Sequence, residues 1–89
     1  MNFKNSNNEQ YEVTNDLELM PKLSPREFQI LKMHCAGFTR CDIALKLNIS
    51  VRTVDTHLIN ATKKYELDTF SQLKSMFIFK FLNVNRGLN

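Results

Sequence analysis

From Leu23 onward the apolar residues recur at helical spacing, in segments short enough to pack against one another. Phe28, Leu31 and Cys35 share one face, with Ile30 and His34 beside it. Ile43, Ala44 and Leu47 form a second set, and Val51, Val54, Leu58, Ala61 and Tyr65 form a third. All three follow the 3.6-residue period of an amphipathic helix rather than strand alternation. Ala44 is small enough to let the third helix approach the second closely. A further stretch, residues 76–82, is apolar at six of seven positions, with Lys80 the exception. One core-facing stripe needs only about three or four apolar positions per two turns. This segment is therefore either covered on two sides or, with Leu73 a turn before it, presents Met76, Phe77, Lys80 and Phe81 to a partner.

The helix ends are marked as clearly as the faces. Ser24-Pro25-Arg26-Glu27 is a capping box: a Ser N-cap, Pro at the first helical position, and a Glu that reaches back to the Ser amide. Thr39 with Asp42 repeats the arrangement, Ser50 caps a third helix, and Thr69 with Gln72 can open a fourth. Leu23 with Phe28, Phe38 with Ile43, and Ile49 with Val54 are spaced as hydrophobic staples. Gly37 ends the first helix near residue 36, and Asn48 suits the left-handed turn after the second. The prediction is an all-α, four-helix chain with helices from about 25, 40–47, 51–65 and 70 onward. Within it, a short helix, a tight turn and a longer helix over about Thr39–Lys64 form a helix-turn-helix. Residues 1–20 read as a polar, mobile leader, although Leu17, Leu19 and Met20 are able to pack on the body formed by 21–89.

Opposite its apolar stripe, the third helix displays Arg52, Asp55, Thr56, Ile59, Asn60 and Lys63. Side chains that hydrogen-bond, beside one that offers methyl groups, suit the base edges and thymine methyl of a DNA major groove. Charge points the same way. The chain carries +3 overall, but residues 1–20 hold one base and four acids, so the excess of bases lies in the body. A basic body suits a polyanion such as double-stranded DNA.

At this point the stretch Leu23–Leu73 resembles the LuxR-type, GerE-like DNA-binding domain. The resemblance lies in Leu23-Ser24-Pro25-Arg26-Glu27, Ile30-Leu31, Gly37, Asp42-Ile43-Ala44, Leu47, Ser50-Val51-Arg52-Thr53-Val54, His57, Lys64, Leu67 and Gln72. It implies a transcription regulator whose third helix enters the major groove and whose fourth helix pairs two copies into a homodimer. Carried over by position, it places Thr39, Arg40, Arg52 and Thr53 at phosphates, and Asp55, Thr56, Ile59 and Asn60 at base edges. Lys63 and Lys64 fall towards the backbone. The sequence departs from the pattern at four places. Asp55 stands where many members carry a base, Ile59 where the residue is often polar or basic, Cys41 where Lys is usual, and Tyr65-Glu66 where Leu-Gly is usual.

The remaining signals narrow the class. His34, Cys35, Cys41 and His57 lack the spacings of a structural zinc site, so no metal or cofactor is expected. His57 reads as a partly buried structural residue. No paired carboxylates, nucleophile motif or phosphate-cradling Gly loop appears, which argues against an enzyme. No stretch approaches the roughly 20 apolar residues of a membrane span, and the first 20 residues lack a signal-peptide pattern. A cytoplasmic, nucleoid-associated protein is the expectation, with no sensor segment ahead of the motif. A second reading is a protein-interaction module that binds another regulator or RNA polymerase through the aromatic fourth helix.

Overall fold

The computed structural model describes residues 19–87. Residues 1–18, which hold most of the leader and Leu17, and residues 88–89 lie outside the described residues. Four helices follow in order: α1 (Pro25–Cys35), α2 (Arg40–Leu47), α3 (Val51–Lys64) and α4 (Phe70–Gly87).

Local chemistry fixes each boundary. Ser24 accepts from the Glu27 amide while the Glu27 carboxylate accepts from the Ser24 amide, and Thr39 and Asp42 make the same reciprocal pair. Ser50 accepts from the Thr53 amide. The Gln72 side chain accepts from the amides of Asp68 and Thr69, and the Thr69 hydroxyl accepts from the Gln72 amide. Each contact satisfies an N–H that a helix start leaves without an internal partner. At the other ends, Gly37 takes φ 106° just after α1, and Asn48 takes the left-handed conformation (φ 58°, ψ 47°) after α2. The turn between α2 and α3 is thus only residues 48–50, short enough to fix the angle of the pair.

The core has two lobes. In the first, Phe28 and Leu31 of α1, Ala61 of α3, and Leu73 and Phe77 of α4 pack with Leu19, Met20 and Leu23. In the second, Ile30 of α1 meets Ile43 and Ala44 of α2 and Val54 and Leu58 of α3. Helix α1 therefore buries two faces and joins the lobes, and Phe70 packs against both. This explains why Ile30, which sits beside the main stripe of α1, is fully buried.

Leu19 and Met20 (1% exposed) lie in the core, the packing on the body that the sequence allows for them. The structure changes two expectations drawn from the pattern. Leu73 (0%) and Phe77 (7%) are core residues, so they are not on a partner surface. They are four residues apart and close the first lobe, with the Phe28 and Phe77 rings edge to face at 5.6 Å. Phe38, expected as a staple for α2, is 36% exposed and lies under the Lys46 ammonium, 5.2 Å from the ring centre.

Tyr65 has a visible role at the junction of α3 with the start of the body. Its phenolic oxygen accepts from the Lys22 amide at 3.1 Å, and the Lys22 ammonium lies 5.2 Å from its ring centre. The next residue, Glu66, is held at φ 57°. Where the pattern usually has Gly, a left-handed turn is formed here with a side chain present.

Candidate nucleic-acid interface

The short 48–50 turn places the exposed face of α3 beside the N-terminus of α2. On α3, Arg52, Thr56, Ile59, Asn60 and Lys63 are exposed, while Val54, Leu58, Ala61 and Thr62 are buried on the opposite side. Ile59 is 53% exposed, a large apolar side chain amid polar neighbours. Thr56 donates its hydroxyl proton to the Arg52 carbonyl at 3.0 Å. Its oxygen then remains an acceptor only, suited to an amino group on a base. Thr53 is half-buried with its hydroxyl 2.9 Å from that of Ser50, so it completes the cap of α3.

Two of the basic residues assigned to DNA are already engaged. Arg40 Nε lies 2.8 Å from Asp55 Oδ1, an ion pair from the first turn of α2 to α3, with the side chains 55% and 40% exposed. Such half-exposed pairs contribute about 0.2–1 kcal/mol, so this one is easily exchanged. Lys64 Nζ lies 2.7 Å from Glu27 Oε1, and here the carboxylate side chain is only 7% exposed. Burial raises the Glu27 carboxyl pKa, but the Lys64 ammonium and the Ser24 amide outweigh it and hold the group below its ordinary value of 4.5. Lys64 therefore locks the end of α3 onto the first turn of α1. Arg52 and Lys63 have no ion-pair partner among the described residues.

A residue that the sequence pattern did not single out joins this side of the molecule. Lys74 of α4 lines an open concavity with His34, Thr39, Arg40 and Cys41. The His34 imidazole is held below its ordinary pKa, first by burial and then by the charges of Lys74 and Arg40. The imidazole also sits edge to face with Phe70, ring centres 4.9 Å apart. Lys74 falls on no apolar period and in no motif, and only the tertiary fold brings it to the N-terminus of α2. A second concavity of about 250 Å³ gathers Arg40, Asp55 and Ile59 over Leu58, Thr62 and Phe70.

The cysteines do not converge on a site. Cys35 packs against the first lobe, where burial pushes its thiol pKa up, and Cys41 is exposed. Among the described residues no group of three His, Cys, Asp or Glu side chains is arranged to hold a metal ion. Among the same residues no helix is long and apolar enough to cross a membrane.

A short capped helix, a left-handed Asn turn and a longer helix with a polar, partly basic outer face define a helix-turn-helix domain. The family described as GerE, bacterial regulatory proteins of the luxR family, matches residues 21–77, more than half of the chain. The chain belongs to the LuxR family of bacterial regulatory proteins, which are DNA-binding regulators. No solved structure was found to match it.

Proposed function

We propose that this protein is a sequence-specific transcriptional regulator that inserts α3 into the DNA major groove and acts as a homodimer paired through α4. The observation that carries the reading is the outer face of α3. Arg52, Thr56, Ile59, Asn60 and Lys63 are exposed together on a helix whose other side is anchored in both lobes of the core. Arg52, in the first turn of α3, and Lys63, in its last, supply phosphate contacts, while Thr56, Ile59 and Asn60 meet base edges. The N-terminal dipole of α3 adds to the attraction for phosphate. Lys74 and the Thr39 hydroxyl, with Arg40 once it leaves Asp55, extend the phosphate-binding surface beside the α2 N-terminus. In this reading Lys64 and Thr53 act inside the fold, as anchor and cap.

The far end of α4 supports pairing. Ile78, Phe79, Phe81, Leu82 and Val84 are all 40% exposed or more, a density of apolar surface that marks an interaction site. A two-fold dimer would place two α3 helices on half-sites about one helical turn apart. The same surface also supports a second reading, in which it docks on another regulator or RNA polymerase.

The test is a titration of fluorescent duplex DNA over a range of salt. Arg52→Ala with Lys63→Ala is expected to weaken binding to every sequence and to lower the salt slope by about two, the loss of two phosphate contacts. An unchanged affinity and slope would rule out groove docking by this face.

A further inference from the structure

We propose that Asp55 is a specificity-determining residue that acts by holding Arg40. The carboxylate keeps the guanidinium off the DNA backbone until a cytosine amino group in the groove takes its place. The inference rests on the groove-docking reading of α3 and adds a step to it.

Position comes first. Arg40 opens α2 and Asp55 lies in the second turn of α3, and their 2.8 Å contact spans the two helices. Both side chains line one concavity with Ile59, on the side of α3 that carries Thr56 and Ile59 as base readers. Both are about half exposed, so water and DNA reach the pair. A buried pair would be a fixture of the fold, whereas this one can change partners.

Charge balance then decides when it does so. While the pair holds, Arg40 and Asp55 cancel, and α3 approaches DNA with Arg52 and Lys63 as its free cations. If Arg40 moves to a phosphate on an arbitrary sequence, Asp55 is left as an unpaired carboxylate among phosphates, and the gain is largely undone. Cytosine is the base whose major-groove edge offers only a donor, its N4 amino group, which a carboxylate accepts. On such a site Asp55 bonds N4, Arg40 bonds phosphate, and every charge keeps a partner. Arg40 therefore contributes fully only where the base beside Asp55 is right. Non-specific binding is suppressed by the same contact that rewards the correct sequence, which is discrimination through a repulsive element.

The probes are a fluorescent pool of random-sequence duplexes and the duplexes that the wild-type protein enriches from it. Asp55→Ala should bind the pool about five-fold more tightly, with a salt slope steeper by about one, because Arg40 is released to a phosphate. Its preference for enriched duplex over pool should fall by about ten-fold or more, with the loss at a C·G pair. Asp55→Asn removes the charge that holds Arg40 while keeping an acceptor, so it should loosen Arg40 less than Asp55→Ala and shift the preferred base towards adenine, which Asn pairs with. The double variant Arg40→Ala, Asp55→Ala, which lacks both charges, should bind the pool about as wild type does, without the five-fold gain. Circular-dichroism melting of each variant verifies that the helices persist. Equal pool affinity for Asp55→Ala and wild type, or the same gain without Arg40, overturns this inference while groove docking stands. A wild-type protein that binds no duplex at low salt overturns both.

Discussion

At the scale of single residues, the Arg40–Asp55 and Lys64–Glu27 ion pairs differ in burial. Arg40–Asp55 joins two half-exposed side chains, whereas Lys64–Glu27 sets a cation against a carboxylate that is 7% exposed. Removing Lys64 leaves that buried carboxylate with only Ser24 to stabilise its charge, at a cost of about 1–3 kcal/mol. Lys64→Met, which keeps the aliphatic stem, should therefore destabilise the domain in urea unfolding at pH 7. The sign with pH follows from the depressed carboxyl. Its contribution is present above the unfolded value near 4.5 and is lost as pH falls through the lower folded value. The difference between wild type and Lys64→Met should thus shrink towards zero on acidification below the unfolded carboxylate value. His34, whose protonation the fold disfavours, loses stability in both proteins as pH falls below 6.5, so it drops out of the difference. The salt slope of DNA binding should stay unchanged in Lys64→Met. A variant that melted like wild type and bound with a flatter slope would make Lys64 a phosphate contact instead.

At the scale of helices and turns, the sequence was legible wherever the determinant is local. Capping boxes and staples span five or six residues, so the starts of α1, α2, α3 and α4 could be read directly, and Gly37 and Asn48 marked two of the stops. Contacts between residues distant in sequence were not legible, which is why Arg40–Asp55, Glu27–Lys64 and the approach of Lys74 to α2 emerge only from the fold. Thr62, polar yet buried, was missed because its hydroxyl is satisfied by the Leu58 carbonyl one turn back, at 2.8 Å. The turn into α4 lies between these cases. Glu66 was recognisable as an exchange for Gly, but its φ of 57° is a tertiary fact. A left-handed residue with a Cβ carries about 1–2 kcal/mol of strain, and Gly gives back part of the relief through the greater freedom of its unfolded chain. Glu66→Gly should therefore stabilise the domain by about 0.5–1 kcal/mol, a rise of about 3–6 °C in Tm for a chain of this size. Gly37→Ala should move the opposite way by about 1–2 kcal/mol. A Cβ there meets nothing within 4 Å, so φ 106° alone sets the cost. If Glu66→Gly melted below wild type, the side chain would be contributing more than its backbone strain costs.

At the scale of the whole molecule, α4 behaves as two half-helices. Leu73 and Phe77 close the core, and the same stripe continues at Phe81 and Val84 beyond the body that covered it, with the Phe81 ring stacked on Phe77 at 6.1 Å. Ile78, Phe79 and Leu82 add apolar surface on other sides of that half. Helical periodicity identified the apolar residues here but not where the body stops covering them, since that depends on how α1 and α3 pack. A helix end apolar on several sides is stable in water only when something covers it, and a second copy of the same end is the cover that two-fold symmetry supplies. The two halves should therefore separate under mutation. Phe77→Ala removes a buried ring and should cost about 3–5 kcal/mol of folding stability. Phe79→Glu with Leu82→Glu alters side chains that are 66% and 53% exposed and should leave the melting of the monomer nearly unchanged. The charged pair should instead lower the mass measured by light scattering from dimer to monomer. It should also weaken binding to a duplex with two half-sites far more than binding to one half-site, because only the paired protein gains from holding both at once. A wild-type protein that is monomeric at every concentration, with full affinity for the two-site duplex retained in the Glu variant, would assign this surface to a different protein partner.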